Sequence, residues 1–395
     1  LALRSPRFPM HFDIAIVGGG LAGLSLACAL RDTPLKIALL EQRPPQRPSG
    51  WDARVYAISP ANVDFLSRVG VWKHLDHERI ARIAAMEVYG DKGARLDFSA
   101  YDTGVSELGF ILESSLMACE LWENIKRQPN LTLLCPASPQ RIEFREDAAL
   151  LGLTDGKSVS AKLVVAADGR DSWVRRSAGL DVFDTHYNEK GVVANFACEM
   201  PHRGRAFQWF SDDGVLAYLP LPGQRISIVW SAPDALADEL VALPTENFCA
   251  RVAAAGGKAL GKLELLTPPA AFPLRLMRVP KVVAPRLALV GDAAHGIHPM
   301  SGHGINLGYQ DARVLAETLA ACQPWHDIGN LRILERYQRA RKEEVILLQT
   351  STDALRRLFK SDLPGMQPLR NLGMNLTNRL PLIKNMLTRY ALGTL

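Results

Sequence analysis

The stretch DIAIVGGGLAGLSLACALRDTPLKIALLE (13–41) opens on an apolar run, Ile14-Ala15-Ile16-Val17, of the kind a parallel strand buried on both faces carries. Glycines follow at once at the spacing G-x-G-x-x-G, met by Gly18, Gly20 and Gly23. Residues 24–30 predict a helix of small apolar residues, and 36–40 predict a second buried strand ending on Glu41. Each part has a physical task. Gly18 permits a tight turn, Gly20 lets a pyrophosphate approach the backbone, and Gly23 lets helix and strand pack closely. The helix N-terminus offers unpaired N–H groups and a positive dipole end to phosphates. Glu41 stands about 20 residues beyond, where a carboxylate accepts the ribose hydroxyls of an adenosine. A glycine-rich turn by itself is compatible with no ligand at all. The strand before it, the helix after it and the acid at the right distance together predict a dinucleotide site.

Working outward, 395 residues suffice for a large core and about two domains. A hydrophobic fraction of 48% and a charged fraction of 22% are those of a globular protein. The six cysteines form no C-x-x-C pair, which argues against a zinc site or disulfide framework and suits a reducing cytoplasm. No apolar run reaches the ~18 residues of a membrane span. Residues 1–9 lack the apolar stretch of a signal peptide and read as a remnant, with Met10 the expected start. A net charge of +5 is too small to imply nucleic acid. Its distribution matters more: residues 331–395 carry 12 Lys/Arg against 5 Asp/Glu, so the rest of the chain is slightly acidic.

The turn-rich run 43–50 cannot continue a strand, and a helix is expected over 60–69. Arg54, just before that helix, is either a bidentate donor to phosphate or an ordinary surface arginine. Residues 81–89 and 94–98 predict edge strands, 116–126 an amphipathic helix, and 142–153 a hairpin arm. A second doubly buried strand at 163–167 runs into Asp168-Gly169, and a third at 286–290 runs into Gly291-Asp292. Between them, 206–210, 215–219 and 225–230 are separated by turn residues and predict an antiparallel meander. Helices are expected over 239–255, 306–320 and 330–359, with helical spacing continuing to the last residue.

Three buried strands that each end in a Gly/Asp turn converge on one ligand, because open α/β sheets bind at the carboxyl ends of their strands. The chain order GGGLAG (18–23), DGRDSWVR (168–175) and GDAAH (291–295) resembles the FAD-dependent aromatic hydroxylases of the para-hydroxybenzoate hydroxylase type. The stretches GDAAHGIHPMSGHGINLGYQDARVLAETL (291–319), LGFILE (108–113) and RNLGMNLTNRLPLIKNML (370–387) narrow the resemblance to the ubiquinone-biosynthesis hydroxylases. The resemblance implies an α/β fold (α+β overall): a Rossmann-like FAD-binding domain in three pieces (10–75, 109–183 and 281–330) and a β-rich substrate domain (76–108 and 184–280). A C-terminal helical segment (331–395) completes it. It also implies that Gly18, Gly20, Gly23 and Arg54 serve the pyrophosphate, Glu41 the adenosine ribose, and Asp292 the ribityl chain. Pro299, Gly302, Gly304 and Asn306 then pass beside the isoalloxazine. Asp168 and Gly169 serve FAD and NAD(P)H, the expected electron donor, unless Asp168 only caps the following helix.

Two departures from the family pattern stand out. Gly302-His303-Gly304 replaces the usual Gly-Gln-Gly, and Glu113-Ser114-Ser115 replaces Glu-Asn-Arg, which puts one phosphate or flavin contact in doubt. No catalytic residue is identified; His298 and Tyr218 are candidates, with Pro220 a further lining residue. The implied activity is hydroxylation of a polyprenylated phenol or quinol in ubiquinone biosynthesis. Its rivals are a hydroxylase of small aromatic acids and an idle FAD-binding subunit of a quinone-biosynthesis complex. The basic C-terminal segment is either a helical clasp or an interfacial helix at the inner face of a membrane, with the protein otherwise cytoplasmic.

Overall fold

The structure, a computed structural model, describes residues 9–90, 93–297 and 304–359. Its first sheet is built around the strand Met10–Val17, which pairs in parallel with Ser158–Ala166 on one side and Ile37–Leu40 on the other. Leu131–Leu134 and Leu287–Leu289 add parallel strands outside these, and Val283–Ala284 closes one edge antiparallel. Successive side chains of a strand point to opposite faces, and here both faces are covered. Ile14, Ile16, Ile37, Leu39, Leu163 and Val165 enter one core, while Ala15, Val17, Ala38, Leu40, Val164 and Ala166 enter another. The first core lies beneath the helices Leu21–Ala29, Ser114–Ile125 and Gly304–Ala320. The second is shared with the hairpin Pro139–Phe144 and Ala149–Leu153. Each fully buried Ile or Leu of this kind contributes roughly 1.5–3 kcal/mol.

A second sheet of nine strands carries the expected meander, Arg205–Ser211, Gly214–Leu221 and Arg225–Pro233, beside the long strand Phe183–Cys198 and then Ala270–Arg278. The helices Asp234–Ala242 and Thr245–Ala255 cover one face and bury Phe196, Tyr218, Ile228 and Trp230. Ala85–Tyr89 and Arg95–Ser99 extend the opposite edge of the same sheet.

Two expected elements divide. The run 81–89 is two strands. Ala81–Ile83 pairs with Gly109–Glu113 in a three-stranded sheet with Val55–Ile58, whereas Ala85–Tyr89 pairs with Arg205–Ser211 in the nine-stranded one. The helix expected over 239–255 breaks at Leu243, which is extended (ψ 145°) because the residue before a proline is excluded from helical geometry. The three-stranded sheet joins the other two: Ile58 and Leu112 enter the first core, while Ala81, Ile83 and Ile111 pack with Ala206 and Leu221 of the nine-stranded sheet.

The helix Leu331–Phe359 braces the molecule by polar side chains. Tyr337 donates to the Leu289 carbonyl (2.8 Å), Gln349 Nε2 to the carbonyls of Met277 and Gly296, and Arg356 pairs with Glu189 (2.9 Å).

Candidate functional site

The carboxyl ends of the three doubly buried strands bring their turns together. Gly18 has φ +110°, and a Cβ there would stand 2.3 Å from the Ala167 carbonyl oxygen, in the turn that precedes Asp168. A Cβ on Gly23 would stand 2.1 Å from the Gly18 oxygen. Both glycines are therefore demanded by close packing. Gly20 differs: its φ of −75° suits any residue, and nothing lies within 4 Å of its Cβ position. It begins the helix Leu21–Ala29, and no side chain caps that helix. The result is an open space at an uncapped helix N-terminus, the geometry that receives a phosphate.

Glu41 ends its strand against this turn. Its Oε2 accepts from Gly19 N (2.6 Å), and its Oε1 from the backbone N–H groups of Gln42 (2.7 Å) and Arg43 (3.0 Å). The acid thus also fixes the shape of the glycine turn.

Asp168 does two things. Its Oδ2 accepts from Val174 N (3.1 Å) in the first turn of the helix Trp173–Ser177, while its Oδ1 is buried without a partner. The capping expectation accounts for one oxygen and leaves the other open to a ligand. Gly169 takes a left-handed φ of +83° to make the turn. Arg175, buried behind it, donates to the carbonyls of Ala293 and Arg170 (2.8 Å each) and so ties the second motif to the third. Burial pushes the Arg175 guanidinium down, and the Asp168 carboxylate counters it.

Asp292 is exposed on the short turn Gly291–Ala293. That turn is held from beneath by Asp311, whose Oδ2 accepts from Gly291 N (2.9 Å) and contacts His295 Nε2 (2.6 Å), while its Oδ1 accepts from Arg341 Nε (2.8 Å). Arg341 also pairs with Glu344. Burial alone would raise the Asp311 carboxyl, but His295 and Arg341 hold it below the usual carboxylate range. Arg54 is exposed, and the half-buried Tyr56 feels both it and Asp292, which places these two predicted site residues in one neighbourhood.

Gly304 opens the helix Gly304–Ala320. The Asn306 side chain is used inside the protein. It accepts from Ser59 N and Asn62 Nδ2 (2.9 Å each) and donates to the Ala57 carbonyl (2.7 Å). His298, Pro299, Gly302 and His303 lie outside the described residues, as does the segment 360–395. Ser115 N donates to Asp52 Oδ2 (3.0 Å), so this position of the departed Glu-Asn-Arg pattern braces the loop before Arg54.

Tyr218 is corrected. Its ring sits in the core beneath the helices, edge-on to Trp209, and its hydroxyl donates to the Val252 carbonyl (2.7 Å). Strand alternation turns Leu219 and Leu221, not Tyr218 and Pro220, toward the three-stranded sheet. Arg175, Asp311 and Arg341 were not anticipated as site residues. Asp311 carried a signal, being a charged residue in the apolar stripe of Leu307, Leu315 and Leu319.

The open space at Gly20, the acid at the end of the second strand and the unpartnered oxygen of Asp168 all fit a dinucleotide. A family model described as an FAD binding domain matches residues 11–348. The ubiquinone hydroxylase UbiL of Rhodospirillum rubrum is 36% identical over 386 residues, which cover 97% of this chain and 90% of that protein. The 3-demethoxyubiquinol 3-hydroxylase of Escherichia coli is 33% identical over 385 residues, covering 96% and 98%. Among solved structures, the p-nitrophenol 4-monooxygenase PnpA of Pseudomonas putida matches with a TM-score of 0.79 at 19% identity, over 97% of this chain and 98% of that one, a likeness of fold. The resemblance drawn from the three motifs thus holds, and the chain belongs to the FAD binding domain family, within the group of ubiquinone-biosynthesis hydroxylases.

Proposed function

We propose that this chain is the FAD-dependent hydroxylase of a polyprenylated phenol or quinol ring in ubiquinone biosynthesis. The observation that carries the reading is identity of 33–36%, over nearly the whole chain, to two hydroxylases named for ubiquinone and demethoxyubiquinol. When bound, FAD supplies the activation of O2 and the transfer of one oxygen atom. The protein supplies binding, orientation and exclusion of water.

In this reading Gly18, Gly20, Gly23 and Arg54 receive the pyrophosphate, Glu41 the adenosine ribose, and Asp292 the ribityl chain. The unpartnered Oδ1 of Asp168 supports a ligand contact for the Asp168-Gly169 turn. Pro299, Gly302 and Gly304 border the isoalloxazine, and Asn306 acts as a positioning residue that ties the helix after that loop to Ala57. The FAD-binding part takes 10–75, 109–183 and 281–330, the substrate part 76–108 and 184–280, with 331–395 as the C-terminal segment. The electron donor is NAD(P)H; no second G-x-G-x-x-G accompanies it. No described helix is long and apolar enough to cross a membrane. The excess of basic residues over 331–395 instead supports contact with an anionic lipid surface, where a polyprenylated substrate resides.

The test is a visible spectrum of the purified protein, followed by NAD(P)H oxidation in air with and without a short-chain prenylphenol. Twin flavin bands, faster oxidation with the phenol and a product heavier by one oxygen atom are expected. A protein that FAD cannot reconstitute, or NAD(P)H oxidation indifferent to phenols with no oxygen incorporated, would overturn the reading.

A further inference from the structure

The face of the nine-stranded sheet turned away from the helices carries a row of side chains whose polarity changes along its length. Asn195 and Ser227 stand opposite each other on neighbouring strands, and Ser227 stands opposite Leu219 on the next. Beyond Leu219, Ala206 stands opposite Met86. The first two are fully buried, yet Asn195 Oδ1 and Ser227 Oγ have no hydrogen-bond partner. Two adjacent unpartnered polar atoms are unusual, since buried polar groups are nearly always paired and an apolar side chain of the same size would be more favourable. The other end of the row is apolar: Ala206, Leu221, Ile83 and Ile111 form one cluster, with Leu219 and Met86 packed against it.

A strap, residues 50–54, closes over the polar end. The Asp52 carbonyl accepts from Asn195 Nδ2 (2.9 Å), and Asp52 N donates to the buried Glu113 (2.5 Å), which Arg79 grips with two nitrogens. The guanidiniums of Arg79 and Arg225 both stand over the Trp51 ring, 4.3 and 5.4 Å from its centre. The same strap ends at Arg54, which the proposed function assigns to the FAD pyrophosphate.

We infer that Asn195 and Ser227 are substrate-orienting residues. The ring hydroxyl of an amphiphilic phenol donates to Asn195 Oδ1 and accepts from Ser227 Oγ–H, and its apolar tail runs along Leu219 toward Ala206 and Met86. The strap stands over this pair, its Asp52 carbonyl bonded to Asn195 Nδ2 (2.9 Å). This rests on the proposed substrate class and adds the direction in which the substrate lies. A site built to hydrogen-bond a hydroxyl rejects the analogue that lacks it.

Ser227→Ala separates this role from a structural one, because deleting an unpartnered buried hydroxyl leaves thermal stability unchanged or raised. Binding of a short-chain prenylphenol and of its O-methyl ether is followed on the holoprotein by tryptophan fluorescence. The wild type is expected to prefer the free phenol by about tenfold, because the ether has no proton to donate to Asn195 Oδ1. Ser227→Ala is expected to weaken phenol and ether alike by several-fold, since both accept from Ser227 Oγ–H, with unchanged flavin content and a melting temperature unchanged or raised. Leu219→Ser is expected to weaken the prenylphenol several-fold and leave an unprenylated phenol unaffected. A wild type that does not discriminate, or a Ser227→Ala variant that binds both ligands as tightly as the wild type does, overturns the inference. Failure of the proposed function registers separately, as the absence of oxygen incorporation by the wild type whatever the binding ratio.

Discussion

Glu41 shows how a single residue serves structure and ligand at once. Three backbone N–H groups, of Gly19, Gln42 and Arg43, already donate to its carboxylate. Glu41→Ala leaves those donors without their acceptor and removes the proposed ribose contact. The expected loss is roughly tenfold or more in FAD affinity, since hydrogen bonds to a charged group contribute about 1.5–3 kcal/mol. Flavin content after gel filtration is the check, and full retention of flavin would refute the assignment. The glycines and Glu41 were legible because their spacing is local. Tyr218 was misread because alternation along 214–221 tells which residues share a face and says nothing of which face the helices Asp234–Ala242 and Thr245–Ala255 cover. Asn195 and Ser227 were invisible for a related reason, being neighbours only through strand register.

At the scale of the element, the glycine turn separates folding from binding. Gly23→Ala puts a methyl against backbone, 2.1 Å from the Gly18 oxygen, so the strand–helix corner must open. Gly20→Ala meets nothing within 4 Å and suits a φ of −75°, so the gain of about 0.4–1 kcal/mol through the unfolded chain is set against alanine's poorer fit at the helix N-cap, and stability should stay close to that of the wild type. Yet its methyl occupies the space through which a pyrophosphate approaches. Gly20→Ala is therefore expected to melt close to the wild-type temperature in the FAD-free form while binding FAD at least tenfold more weakly. Equal FAD affinity in the two would exclude the cradle as the phosphate site. Elements with a strong local pattern were legible to within a few residues, such as the helix expected over 60–69 and found as Pro60–Arg68. Those that failed were uniform in pattern but split by tertiary pairing, as in 81–89, or by one proline, as at Leu243-Pro244.

Across the whole molecule, the helix Leu331–Phe359 links the two large sheets, and its central contact is the buried set Arg341, Asp311 and His295. Asp311 lies 16 positions from His295 and 30 from Arg341, so no sequence pattern joins them. Burial opposes the Asp311 charge, and His295 and Arg341 more than compensate, leaving its carboxyl depressed below the usual range. The sign follows from linkage. A depressed carboxyl contributes stability that is complete above its unfolded value, about 3.9, and is lost as pH falls through the lower folded value. Asp311→Asn removes the charge facing the buried Arg341 and weakens the hold on Gly291 N–H, beneath the turn that carries Asp292. At neutral pH the expected cost is about 3–5 kcal/mol, the range for breaking one partner of a buried pair. Below pH 4 the wild type progressively protonates Asp311 and the two proteins converge. Urea unfolding at pH 7 and in steps below pH 4 measures both limbs. A gap between the variants that stays constant down the acid limb would show that the Asp311 charge is not what holds the brace to the turn.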